Sequence, residues 1–181
     1  MSVTTRIDLT GLKEFRRLVR TGASRKSGPL HDFFIQAAAR YLGFTRRRFI
    51  TYSRGGGSWP PLKKSTIRKR RKGRGSGSPA ILRDTSTLLT SLGQGAPGNV
   101  ISRTTNGIAV GIGGSARHGK RGRTIGQIAE FHQIGAGNLP VREVIPGPDD
   151  IEKQVQAGWV RDANAALGKI LKQAEQLQGA A

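Results

Sequence analysis

The 181-residue sequence predicts an α+β fold: a small antiparallel sheet with a hairpin, packed against a long helix and a C-terminal helix, with extended basic loops or arms. Three observations carry that expectation. An apolar stripe at helical spacing runs through residues 30–42, an Asn106-Gly107 pair divides two alternating segments within 100–113, and an apolar-periodic run fills 149–178. These are the periods of 3.6 and 2 that a helix and a half-buried strand impose on a sequence.

Taken in order, Leu9, Leu12, Phe15 and Val19 predict a short first helix over about 8–20. A linker at 22–28 follows, and Ser27 and Pro29 are start signals for a second helix. Leu30, Phe33, Phe34, Ala37, Ala38, Tyr41 and Leu42 fall on one face of it, with Arg40 and Arg46–Arg48 largely off that face. Gly55, Gly56 and Gly57 end the helix and open a loop that reaches Trp59-Pro60-Pro61. A short basic helix over 65–72, a basic glycine-rich linker over 73–79 and a brief helix over 84–92 come next, the last with Leu88, Leu89 and Leu92 inward. Asn106-Gly107 suits a type I′ turn, which needs positive φ at both positions. Pairing across it sets Ile101 opposite Ile112, Arg103 opposite Val110 and Thr105 opposite Ile108, so that Ile101, Ile108, Val110 and Ile112 face the long helix. A third basic loop spans 113–123, a short helix 125–134, and the terminal helix 149–178, where Asp149 is expected as N-cap with Glu152 as its capping-box partner.

The chain fits one domain over 1–181, with flexible basic arms at about 54–79 and 113–124. It has no cysteine, which excludes disulfides, thiolate nucleophiles and Cys-ligated metals. No run is long and apolar enough for a membrane span and the N-terminus lacks a signal-peptide run, so a soluble, non-secreted protein with no membrane partner is expected. Lys and Arg number 31 against 11 Asp and Glu, a net charge of +20. No acid occurs between Phe33 and Arg83, where 14 of the basic residues lie, while acids outnumber bases after Arg142. That asymmetry predicts a basic surface for phosphates or acidic protein beside a near-neutral packing segment.

No constellation for catalysis stands out, and neither enzymatic activity nor a cofactor or metal is expected. Residues 114–121 come close to a phosphate-binding loop, but Arg121 stands where a hydroxyl must ligate Mg²⁺, so the segment reads as a basic loop. His31, His118 and His132 are scattered without metal-ligand spacing. Lys63, Lys64, Arg68, Lys69, Arg70, Arg71, Lys72 and Arg74 concentrate eight cations in twelve residues, and Arg117, Lys120, Arg121 and Arg123 form a second group. Both groups are candidates for facing DNA phosphates or an acidic partner protein. No aromatic interleaves with them as a single-strand binder would require.

An ordered series of motifs runs through the middle of the chain. Trp59-Pro60 with Leu62 precedes Thr66; Ile81-Leu82-Arg83-Asp84-Thr85 follows, then Leu88 and Ser91-Leu92; Ile128-Ala129, His132-Gln133 and Gly135 come after the hairpin, and Leu139-Pro140 with Arg142 closes the series. It resembles the phage virion morphogenesis or tail-completion family, over about 59–145. The family often has Gly where Ser86 stands, an aromatic where Ile128 stands and Pro-Phe where Glu143-Val144 stand. The resemblance implies a structural virion protein that completes the tail or neck of a tailed bacteriophage, assembled in the host cytoplasm. It implies a homo-oligomeric ring of six copies joining a tail tube or terminator protein to the head-side connector; on that reading the basic segments are expected to touch acidic partner surfaces or, non-specifically, the genomic DNA that passes through the neck. Trp59, Leu62, Thr66, Leu82, His132, Gln133, Gly135, Pro140 and Arg142 would then be structural or interface residues. In physical terms Trp59 is an anchor, His132 and Gln133 suit backbone groups at a turn, Pro140 fixes an extended segment, and Arg142 suits a bidentate contact with a carboxylate. The alternative is a sequence-independent nucleic-acid-binding protein, which accounts for the charge but not for the motif series.

Overall fold

The computed structural model describes residues 3–8, 28–104, 107–118 and 122–178. In chain order they form β1 (Val3–Asp8), α1 (Pro29–Ser53), α2 (Lys64–Lys69) continued by a π turn (Arg70–Arg74), α3 (Thr87–Ser91), β2 (Asn99–Thr104), β3 (Gly107–Ile112), α4 (Ile125–Ile134), a 3₁₀ turn (Pro148–Asp150) and α5 (Lys153–Gln178). The fold is α+β, as the sequence predicts.

α1 begins at Pro29, whose fixed φ and missing N–H suit the first helical turn. Its stripe is buried as expected and continues one turn at a time through Phe44, Thr45, Phe49 and Ser53. Arg48 departs from the expectation. Its side chain is only 11% exposed, because the extended stripe carries it inward, where it pairs with Glu143 at 2.6 Å. After Arg54 the glycines turn the chain back on the helix. The ring of Tyr52 occupies the place a Cβ at Gly57 would take, and Thr51 crowds the same place at Gly56. Trp59 then inserts edge-on against Phe49, centroids 5.0 Å apart, and against Tyr52, 5.6 Å apart.

The sheet has three antiparallel strands in the order β1-β3-β2. β1 was not expected: Asp8, placed at the start of a helix over 8–20, ends a strand rich in β-branched residues, and residues 9–20 lie outside the described residues. The hairpin register also differs. Asn99 pairs with Ile112, Ile101 with Val110, Arg103 with Ile108 and Thr104 with Gly107, so Gly107 is the first paired residue of β3 and not part of the turn. The shift is two residues. Side chains alternate with period two, so the apolar set stays on the predicted face. Ile108, Val110 and Ile112 are fully buried, Ile101 packs partly against them, and β3 lies on α1. Thr105 and Asn106 lie outside the described residues.

α5 lies along α1. Trp159 Nε1 donates to the carbonyl of Ala37 at 3.2 Å, and Arg40 pairs with Asp162 at 2.6 Å. The expected cap at Asp149 does not form. Asp149 sits in the 3₁₀ turn, Ile151 returns to extended geometry and is buried, and the helix starts anew at Lys153. The carbonyl of Glu152 accepts from the amides of Val155 and Gln156, placing Glu152 in the capping position. Among the described residues no helix is long and apolar enough to cross a membrane.

Candidate functional site

The segment 139–145 runs beside the C-terminal end of α1 and the end of α4, and hydrogen bonds from both sides hold it there. Arg142, 4% exposed, donates from Nε at 3.2 Å and from Nη2 at 3.0 Å to the carbonyl of Pro60. The carboxylate expected for Arg142 is replaced by backbone oxygen. Prolines 60 and 61 offer carbonyls without amide hydrogens, so a guanidinium fork fits there. Trp59 Nε1 donates to the carbonyl of Glu143 at 3.2 Å, and Glu143 reaches Arg48. Gln133 Oε1 accepts from the amides of Val144 at 2.8 Å and Ile145 at 3.0 Å, while its Nε2 donates to the carbonyl of Ile145 at 2.8 Å. The amide of Arg142 donates to the carbonyl of His132 at 2.7 Å. Gly135, at φ 70°, ends α4 in the left-handed region and lets the chain double back.

The result is a cleft of about 790 Å³. Pro60, Leu62, Lys63, Thr66 and Arg70 form one wall; Leu82, Asp84 and α3 through Thr87 and Leu88 form another. Ile128, His132, Pro140 and Arg142 close it. Six of the nine residues expected to be structural or interface residues (Leu62, Thr66, Leu82, His132, Pro140 and Arg142) therefore line one space, and Trp59, Gln133 and Gly135 support it from behind. At its mouth Thr87 Oγ1 meets His118 Nδ1 at 3.0 Å. Beside it Ile134, Leu139 and Val141 are 63%, 41% and 57% exposed, and Val141 and the Leu139 carbonyl crowd the space above Gly135. With Ile134 next to Gly135 in the chain, the three make an exposed apolar lip around that turn.

The electrostatics follow from burial. His132 Nδ1 is buried without a partner; burial, and then the charge of Arg142, push the imidazole down to about 4, so the ring is neutral near pH 7. Burial, and then Arg70, lowers the pKa of Arg142. Burial is the largest effect on Arg48 and opposes its charge, but the hydrogen bond to Glu143 and the attraction of Tyr52 and Glu143 together outweigh it and raise its pKa; the ring of Tyr52 lies 4.9 Å from the guanidinium. The Ser76 amide at 2.8 Å, and further off Arg70, hold the Asp84 carboxyl below its ordinary value against the opposing effect of burial.

The cations divide into two kinds. Arg70 folds inward, donating to the carbonyls of Ser78 at 3.0 Å and Ala80 at 2.9 Å and lying 3.7 Å from Asp84. Lys63, Lys64, Arg68, Lys69, Arg71 and Lys72 are exposed. In the second group Arg117 bonds the carbonyl of Gly122 at 3.0 Å and Arg123 lies 4.5 Å from the Phe131 ring, while Lys120 and Arg121, like the side chain of Arg74, lie outside the described residues. Among the described residues of the phosphate-loop segment no helix opens. Arg117 bridges to Thr124, and Thr124 with Gln127 caps α4 through its own capping box. The helix N-terminus is therefore closed by side chains of the chain itself.

Glu143 and Arg48 are site residues that sequence reading missed, and Asp84 stood in the motif series without an assigned role. The signal for two of them was position: Asp84 is the first acid after a long basic stretch, and Glu143 the first after Arg142. No protein-family model matches the chain, and neither does any curated protein or any solved structure.

Proposed function

We propose that this chain is a non-enzymatic structural protein of a tailed-phage virion, assembling as a hexameric ring that joins the tail to the head-side connector. The observation that carries the reading is the convergence of the motif series on one cleft. Residues far apart in sequence are held there by backbone hydrogen bonds, which is what a structural role asks of Trp59, Gln133 and Arg142. The apolar lip of Ile134, Leu139 and Val141 beside the cleft is the surface assigned to the neighbouring copy, since grouped exposed apolar side chains mark contact sites.

Light scattering on nuclease-treated protein in high salt tests this. A mass near six times 19.4 kDa, about 116 kDa, is expected, and Ile134→Ser/Val141→Ser is expected to fall to the single-chain mass with an unchanged circular dichroism spectrum. A mass of 19.4 kDa for the unaltered chain at every concentration would remove the self-assembling ring. Mass gained only when DNA is returned at low salt would move the reading to a sequence-independent nucleic-acid binder.

A further inference from the structure

We propose a second activity, distinct from ring closure: the exposed face of α2 and its π turn is a docking site for the phosphate backbone of duplex DNA. Arg70 is the anchor. Its bonds to the Ser78 and Ala80 carbonyls and its approach to Asp84 tie this short helix to the loop behind it. The other six cations of 63–72 are exposed, Lys63 at the rim of the cleft, and their side chains meet no carboxylate among the described residues. Ten residues at a helical rise of roughly 1.5 Å span about 15 Å, so six cations give one charge per about 2.5 Å. A DNA duplex carries about one phosphate charge per 1.7 Å of axis. The two linear charge densities are of the same order, which allows several phosphates to be met at once with release of their counterions.

The same face argues against the other polyanions. Protein interfaces are depleted of Lys and are centred on apolar or aromatic anchors. α2 buries no residue completely, and its exposed side is cationic with no aromatic. Single strands are gripped by stacking on aromatic rings, and the segment 63–74 contains none. What remains is a surface that matches a stiff polyphosphate without reading its bases.

The test is the salt dependence of binding of a short labelled duplex to the full chain, between about 50 and 200 mM salt. Lys64→Gln/Arg68→Gln/Arg71→Gln is expected to lower the slope of log K against log salt by about 2.7, about 0.9 for each phosphate no longer neutralised. Arg46→Gln/Lys169→Gln/Lys172→Gln removes the same charge from exposed positions on α1 and α5 and is expected to keep the slope within about one of the starting value. An equal fall in both variants would assign the attraction to net charge and overturn the site. Single strands binding as tightly as the duplex, or polyglutamate competing as well as DNA, would overturn it too. The scattering mass, read in the same buffers, reports ring assembly separately, and the slope change is expected whether the copies are joined or single.

Discussion

Gln133 uses three of its four amide hydrogen-bonding positions on two backbone donors and one acceptor of the segment it holds, and no charged residue could do so: a carboxylate lacks the donor and a cation lacks the acceptor. Its neighbour His132 shows the opposite condition, a buried ring nitrogen left without a partner. That difference has a pH consequence. The folded ring titrates at about 4 and an unfolded histidine near 6.5, so between these values the unfolded chain binds the extra proton. Stability is therefore complete above about pH 6.5 and falls as the pH drops towards 4. Because the ring is partly open to solvent, the expected loss is about 1–2 kcal/mol after allowing for screening. Urea unfolding at pH 7 and pH 4.5 is expected to show it, and His132→Gln is expected to remove most of that slope. A carboxylate such as Asp84, whose folded pKa is lowered, loses its contribution only below about pH 4, so the two windows separate.

At the scale of elements, α3 starts from an unusual residue. Ser86 lies at φ 56°, ψ 10°, left-handed geometry that side chains with a Cβ resist, and its carbonyl still accepts the first helical bond from Thr90. Ser86→Gly is expected to raise stability by about 0.5–1 kcal/mol, the relieved strain exceeding the added freedom of the unfolded chain, as a shift in urea midpoint at unchanged slope. Much of the element pattern was legible in the sequence because it follows from periodicity. The stripe of α1, the inward leucines of α3, the span of α4 and the buried face of β3 all come from spacing alone. What spacing does not encode was missed. The hairpin slipped by two because its turn sits one residue earlier than Asn106-Gly107 suggests, and a slip of two leaves the apolar pattern intact. Asp149 looked like a cap, yet burying Ile151 requires an extended residue between the 3₁₀ turn and α5. The cleft was legible only as an ordered series of residues. The pairs that build it, Arg142 with Pro60 and Arg48 with Glu143, join positions 82 and 95 residues apart, and no local rule connects them.

Across the whole molecule, α1 is the common support. The sheet lies on it, α5 runs along it, and its C-terminal turns carry the aromatic cluster behind the cleft. Net charge of +20 opposes bringing copies together at low ionic strength, and salt screens that repulsion within about a Debye length of 8–10 Å. The proposed ring closure and duplex binding are therefore expected to respond to salt in opposite directions, closure favoured and DNA released as it rises. The packing of Tyr52 on Gly57 limits which sequences can share this architecture. An alanine methyl at 57 would overlap the tyrosine ring, which is itself pinned between Trp59 and Arg48. Gly57→Ala is expected to cost about 1–3 kcal/mol alone and distinctly less in a Tyr52→Leu background, a non-additivity that a double-mutant cycle measures. Over evolutionary descent, positions 52 and 57 are then expected to vary as a pair: lineages that keep the ring keep the glycine, and only those that lose the ring are free to replace it.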